Sequence, residues 1–163
     1  ATVLFGRLPQ PCKTANLPSL DTTMSNRTMI PDLPANIDQI KGFLASEEAE
    51  ALYQQALRVS STGPVLEIGS YCGKSTIYLG LACQRNNSSL FALDHHRGSE
   101  EHQRGEFFHD PELYDTAEGV MDSFREFRRN IHGAGLDEVV VPVVAGSEVA
   151  ARHWQTPLAM VFI

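Results

Sequence analysis

The stretch VLEIGSYCGKS, residues 65–75, gathers a carboxylate, two glycines and a hydroxyl around one turn. A short apolar run that reads as a buried strand ends at Gly69. Gly73 follows, and Lys74 and Ser75 open a helical pattern. Without a Cβ, Gly69 and Gly73 let the backbone turn tightly and let a ligand come close. Free N–H groups at the start of the helix favour an anion such as a carboxylate or phosphate. Glu67, in the last turn of the strand, can meet an ammonium directly or through water. Asp94 ends a second strand-like stretch and can accept hydrogen bonds from two ribose hydroxyls at once. The glycines alone would serve a plain strand-to-helix turn. Joined to Glu67, Asp94 and the strand–helix order, they point to a nucleoside-containing cofactor.

The spacing chooses among such cofactors. A dinucleotide fingerprint is G-x-G-x-x-G. Here the pattern is E-x-G-x-x-x-G, with Ser70 where the second glycine would stand. A pyrophosphate needs close backbone approach at that position, whereas a methionine-type tail does not. A ligand carrying an ammonium, a carboxylate and a ribose is S-adenosylmethionine. The alternative is an NAD(P)-binding oxidoreductase domain on the same kind of sheet, and a further one is a non-catalytic, cofactor-binding fragment.

The elements that must position these groups alternate along the chain. Residues 1–36 hold five prolines and many small polar residues and read as an irregular N-terminal arm. Residues 37–163 read as one cofactor-binding domain. It starts with an amphipathic helical stretch in which Ser46 is the expected N-cap. The expected order is then strand 64–69, helix 74–84, strand 89–94, an insertion loop 95–119, helix 120–135, strand 138–146, a short helix 147–154 with Ser147 as N-cap, and strand 158–163. Continuous apolar strands separated by helices predict an α/β, Rossmann-like, doubly wound parallel sheet covered on both faces. In such folds ligands bind beyond the carboxyl ends of the strands, where the glycine turn and Asp94 both lie.

Composition bounds the rest. The chain has 163 residues, 42% hydrophobic and 20% charged, with a formal net charge of −7. That length supports one domain with a real core. The acidic balance argues against a dedicated nucleic-acid binder, whose affinity rests on Lys and Arg. No apolar run approaches the ~20 residues of a membrane helix, and the first residues lack a secretory pattern. Cys12, Cys72 and Cys83 form no C-x-x-C pair, which predicts neither a zinc site nor a disulfide framework. A reducing, cytoplasmic setting is expected.

VLEIGSYCGKST is similar to the first motif of class I S-adenosylmethionine-dependent methyltransferases, and most of all to small-molecule O-methyltransferases of the catechol and caffeoyl-CoA type. The likeness continues in order through LFALD, NIHGAGLDEVVVPVVAGSEV and LAMVFI, about residues 40–163 apart from the insertion. The resemblance implies that Glu67, Gly69, Ser70 and Gly73 line the methionine end of the cofactor. It implies that Tyr71 packs near that end, and that Ser75 meets the carboxylate. Asp94 would hold the ribose, His95 would flank the adenine, and Ser147 and Glu148 would lie at the adenine edge. It also implies a small-molecule methyl acceptor.

Metal-dependent members carry an aspartate directly after the fourth strand, with further ligands and a catalytic lysine beyond. The chain stops at Ile163, one residue short of that aspartate. It is therefore expected to be the cofactor-binding half of an incomplete fold, with catalytic residues unknown, no metal ligand of its own, and a divalent metal such as Mg held by residues outside this sequence. Its last strands would present an uncovered edge able to pair with a second copy as a homodimer. Within the insertion, His95, His102 and His109 recur every seven residues among acidic neighbours, and the stretch is read as a solvated polar loop rather than a metal site. Phe107, Phe108 and Tyr114 would be its contacts if it closed as a lid. Cys72 sits where a helix N-terminus could lower a thiol pKa, but no paired base is evident and a nucleophilic role is not expected. Arg125, Arg128 and Arg129 read as a solvated helix face, and Trp154 as packing.

Overall fold

Alternate residues of the predicted strands meet opposite environments. The structure, a computed structural model, describes residues 30–102, 105–106 and 109–163. The prolines before residue 30, Cys12, Phe107 and Phe108 lie outside them. A 3-10 turn at Ile37–Gln39 leads to helix α1 (Ser46–Val59), then strand β1 (Val65–Ile68), helix α2 (Lys74–Arg85) and strand β2 (Leu90–Asp94). Two-residue strands β3 (Tyr114–Asp115) and β4 (Val120–Met121) precede helix α3 (Phe124–Gly133), strand β5 (Val140–Val144), helix α4 (Ser147–Ala151) and strand β6 (Met160–Phe162).

The four long strands form one parallel sheet in the order β5-β2-β1-β6. Val65 lies level with Leu90 and Met160, and Leu90 with Val140. That row faces the helices and joins the main core. The next row is Leu66, Phe91, Val141 and Val161. It points the other way, and Val141 and Val161 are exposed. On this side Trp154 packs edge-on to Phe91, with ring centroids 5.1 Å apart. Among the described residues the expected cover of both faces is only partial: α1, α2 and α3 supply one layer, and on the opposite face Val141 and Val161 stay exposed.

The layer follows from helical periodicity. α1 buries Ala49, Leu52, Tyr53 and Ala56, an i, i+3, i+4, i+7 stripe. α2 is buried on almost every side, from Thr76 to Cys83. Gly80 makes that possible, since a Cβ there would lie 2.9 Å from Leu136. α3 contributes Phe127 and Ile131, one turn apart. Deleting a ring as buried as Phe127 costs about 3–5 kcal/mol in a close-packed core. Ile30 and Leu33 also pack on this core.

Several boundaries differ from the sequence reading. Ser46 is the first helical residue and Ala45 the N-cap, whose N–H donates to the Glu48 carboxylate at 3.2 Å. Gly146 rather than Ser147 caps α4. The helix expected at 120–135 starts at Phe124, because Val120 and Met121 pair antiparallel with Asp115 and Tyr114. Asp115 makes that hairpin: its carboxylate accepts the Ala117 N–H at 2.8 Å and the Glu118 N–H at 3.1 Å, and Gly119 turns at φ +69°. The insertion is thus an ordered hairpin in part, and Leu113 and Met121 pack on Cys72. Among the described residues no helix is long and apolar enough to cross a membrane.

Candidate cofactor site

The glycine turn lies where the sequence predicts, between β1 and α2 at the carboxyl end of the sheet. Three of its five residues have positive φ: Gly69 at +91°, Tyr71 at +46° and Gly73 at +91°. Hydrogen bonds hold the shape. The Gly69 N–H donates to the Leu93 carbonyl and the Gly73 N–H to the Ser70 carbonyl, both at 2.8 Å. The two glycines serve different ends. A Cβ on Gly73 would lie 3.3 Å from the Phe127 ring, so this glycine lets α3 close on the turn. A Cβ on Gly69 would meet nothing within 4 Å. That glycine borders open space, as a cradle for a ligand requires.

Two carboxylates flank the turn in contrasting states. Glu67 is fully buried on the helix side of β1. Its two oxygens accept the Ser75 and Thr76 hydroxyls, each at 2.5 Å. Burial pushes its pKa up to about 7, the two hydroxyls work against that rise, and Asp94 adds to it. Ser75, expected to meet a ligand carboxylate, thus spends its hydroxyl on Glu67. Asp94 is half-buried and bridges loops. Its Oδ2 accepts the Tyr71 N–H and its Oδ1 the His96 N–H, both at 2.8 Å. Its carbonyl accepts the Ala145 N–H at 3.1 Å. Asp94 therefore ties the glycine turn, its own loop and the approach to α4 together.

The other predicted residues take defined places. Ser70 is buried, and its hydroxyl has no hydrogen-bond partner among the described residues. A buried unpaired hydroxyl beside an open glycine calls for a ligand or water. The Tyr71 ring stacks on exposed Phe43 at 6.2 Å and lies 5.8 Å from His102. Burial lifts the phenol pKa to about 12, with Cys72 and Asp110 adding to the effect. His95 is exposed, and its Nδ1 accepts the Arg97 N–H at 3.0 Å. Ser147 and Glu148 are exposed in the first turn of α4.

Sequence reasoning counted His96, the buried member of the histidine pair, only as part of a polar loop, and gave no role to Thr76, the second hydroxyl on Glu67. Both need the fold to be seen. Cys72 is also corrected: burial in the apolar contact with Leu113 and Met121 pushes its thiol up to about 12, not down. Near it, the Lys41 ammonium pairs with Asp110 and, at 2.6 Å, with Glu112. Burial works against its charge, but the two carboxylates outweigh that and hold its pKa well above the usual value. The histidines spaced by seven do not converge, and no three His, Cys, Asp or Glu side chains among the described residues could hold a metal ion.

Comparison with known proteins gives a consistent picture. The profile of the methyltransferase domain family matches residues 66–163, more than half of the chain. Among solved structures, one assigned as an O-methyltransferase from Klebsiella pneumoniae aligns at a TM-score of 0.54 and 16% identity, over 80% of this chain and 53% of that one. The cofactor-bound Rv0187 protein from MTB aligns at a TM-score of 0.53 and 19% identity, over 78% of this chain and 48% of its own. At such identities the likeness is one of fold. The chain spans about half the length of either structure.

Proposed function

Since this chain belongs to the methyltransferase domain family, we propose that it carries the cofactor-binding half of an S-adenosylmethionine-dependent enzyme that methylates an oxygen of a small molecule. The observation that carries this reading is the pairing of two features at one turn. Gly69 opens onto free space at φ +91°, and beside it the buried Ser70 hydroxyl lacks a partner. A ligand fills the first and satisfies the second.

The residues fit the cofactor in parts. Gly69, Ser70 and Gly73 shape the methionine end, with Tyr71 packed beside it. The first-turn N–H groups of α2 favour its carboxylate. Glu67 acts on the ammonium from beneath, through the charge it acquires as it loses its proton. Asp94 keeps acceptor capacity beyond its two backbone bonds, since an ionised carboxylate offers about four lone-pair sites, and this serves the ribose. His95 on the loop after β2, and Ser147 and Glu148 in the first turn of α4 after β5, are suited to the adenine edge.

Bound there, S-adenosylmethionine supplies an electrophilic methyl group on a sulfonium. The protein's share is to fix that methyl in line with the acceptor oxygen, which converts an encounter into an effectively unimolecular step. No three His, Cys, Asp or Glu side chains among the described residues could hold a metal ion, so a divalent metal such as Mg would be held by residues outside this sequence. The acidic net charge of −7 supports a small-molecule acceptor over a nucleic acid. The open row of Val141 and Val161 would allow a second copy to pair at this face.

Isothermal calorimetry with S-adenosylhomocysteine, run beside NADH, tests the reading. Binding of S-adenosylhomocysteine alone supports it. Binding of NADH alone overturns it in favour of the oxidoreductase alternative, which the family match and Ser70 at the middle glycine position both oppose.

A further inference from the structure

His96 holds a conformation that its own sequence does not favour. It is 2% exposed and stands at φ +58°, a region that costs a non-glycine residue energy unless its surroundings enforce it. The enforcement comes from three elements. Its N–H donates to Asp94 Oδ1 at 2.8 Å. Its carbonyl accepts the Ser123 N–H at 3.1 Å. Its ring Nδ1 lies 2.9 Å from the Ser123 hydroxyl, and the ring packs 4.9 Å from Phe124 and 5.2 Å from Phe127. The main chain and the ring thus grip the same residue at the start of α3.

The geometry points to His96 as a positioning residue for the ribose-binding end of the proposed site. The two Asp94 oxygens are pinned separately, Oδ1 by the His96 N–H and Oδ2 by the Tyr71 N–H. The first pin holds its place because the imidazole is locked onto Ser123. Releasing the ring frees the 95–97 loop, and Asp94 loses one of the two contacts that set its rotamer. Burial lowers the imidazole pKa, and the positive charge of a protonated His95 would do the same, against the opposing pull of Asp94, Asp122 and the Tyr71 backbone. Packing alone does not require a histidine here. Among the described residues its Nε2 has no hydrogen-bond partner of ordinary geometry, the Tyr71 backbone being the polar group turned toward the ring, and a phenylalanine would suit the aromatic neighbours Phe124 and Phe127 as well.

This inference rests on the function proposed above, and its test separates the two. The parent chain, His96→Phe and His96→Asn would each be titrated with S-adenosylhomocysteine and with adenosine, beside thermal melts. His96→Phe keeps the packing and removes the bond to Ser123. It is expected to bind both ligands about tenfold more weakly, the effect of one lost hydrogen bond, while melting at or above the parent temperature. His96→Asn places an amide near the Nδ1 position and is expected to bind within about threefold of the parent, since the bond is kept. If His96→Phe does not fold, Ser123→Ala removes the same bond, and an unchanged affinity there overturns the proposal. A parent that binds beside a His96→Phe variant that binds equally well overturns the inference alone. A parent that binds neither ligand overturns the functional reading and the inference with it.

Discussion

The Asp94 carboxylate accepts the backbone N–H of Tyr71 at 2.8 Å, joining the end of β2 to the turn that follows β1. The bond fixes a non-glycine residue at φ +46°, in the middle of the turn proposed to hold the cofactor. The side chain expected to bind the ribose is therefore also part of the frame of the neighbouring subsite.

Asp94→Ala is accordingly expected to act on stability as well as on binding. Two backbone N–H groups lose a charged acceptor, each bond contributing about 1.5–3 kcal/mol, with the lower end fitting this half-buried site. Asp94→Asn keeps an acceptor oxygen and is expected to recover part of the loss. Urea unfolding of both variants measures it, and an Asp94→Ala midpoint equal to that of the parent would show that the bonds contribute nothing.

The two turn glycines should separate. Gly69→Ala and Gly73→Ala both place a side chain at φ +91°, a backbone strain of roughly 1–2 kcal/mol. Only Gly73→Ala also forces its Cβ to within 3.3 Å of the Phe127 ring. Gly73→Ala should be the less stable of the two. Gly69→Ala should lose affinity for S-adenosylhomocysteine beyond what its melting temperature explains, because its methyl group enters the ligand space. Equal melting temperatures would contradict this account of Gly73.

Glu67 gives a pH dependence with a definite sign. Its folded pKa of about 7 lies above the ordinary value of 4.5, so the folded chain holds a proton that the unfolded chain has released between those limits. That contribution is fully present below about pH 4.5 and is lost as pH rises through about 7. Its size is on the order of 3 kcal/mol by the conversion of pKa shifts to free energy. Glu67→Gln, neutral throughout, should flatten this slope and gain relative to the parent above pH 7. Chemical denaturation at several pH values reads the difference, and parallel profiles would refute the assignment.

The open sheet face predicts behaviour in solution. Val141 is 43% and Val161 48% exposed. Lysine at either position should lower self-association in light scattering, while shifting stability by no more than about 0.5 kcal/mol, as is usual for surface substitutions. Unchanged scattering would show that this face does not drive association.

The glycine turn, Asp94 and the strand–helix order were legible because each is encoded within a few residues: a glycine pair, an acidic strand end, a change of hydrophobic period. The hairpin at 114–121 was not, since two-residue strands are too short to show a period and the polar residues around Asp115 read as loop. His96 stayed hidden for another reason. Its partners Ser123 and Phe127 lie far along the chain, and nothing next to it separates a buried histidine from its exposed neighbour His95. The open face escaped because Val141 and Val161 are as apolar as the residues beside them. Burial of one face and exposure of the other cannot be told from a continuous valine-rich run. The helix caps were one residue off because Ser46 and Ser147 occupy the first helical position rather than the cap.

Among the described residues the sheet order β5-β2-β1-β6 places β1 and β2 inside and β5 and β6 outside. The β6 edge is short, level with β1 over only Val65↔Met160, Leu66↔Val161 and Glu67↔Phe162. In hydrogen-exchange terms the molecule is graded from the centre outward. The amides of β1 and β2, each strand flanked on both sides, should be the last to take up deuterium. The rigid middle of that gradient carries the glycine turn and Asp94, so the candidate site is anchored where the fold opens least.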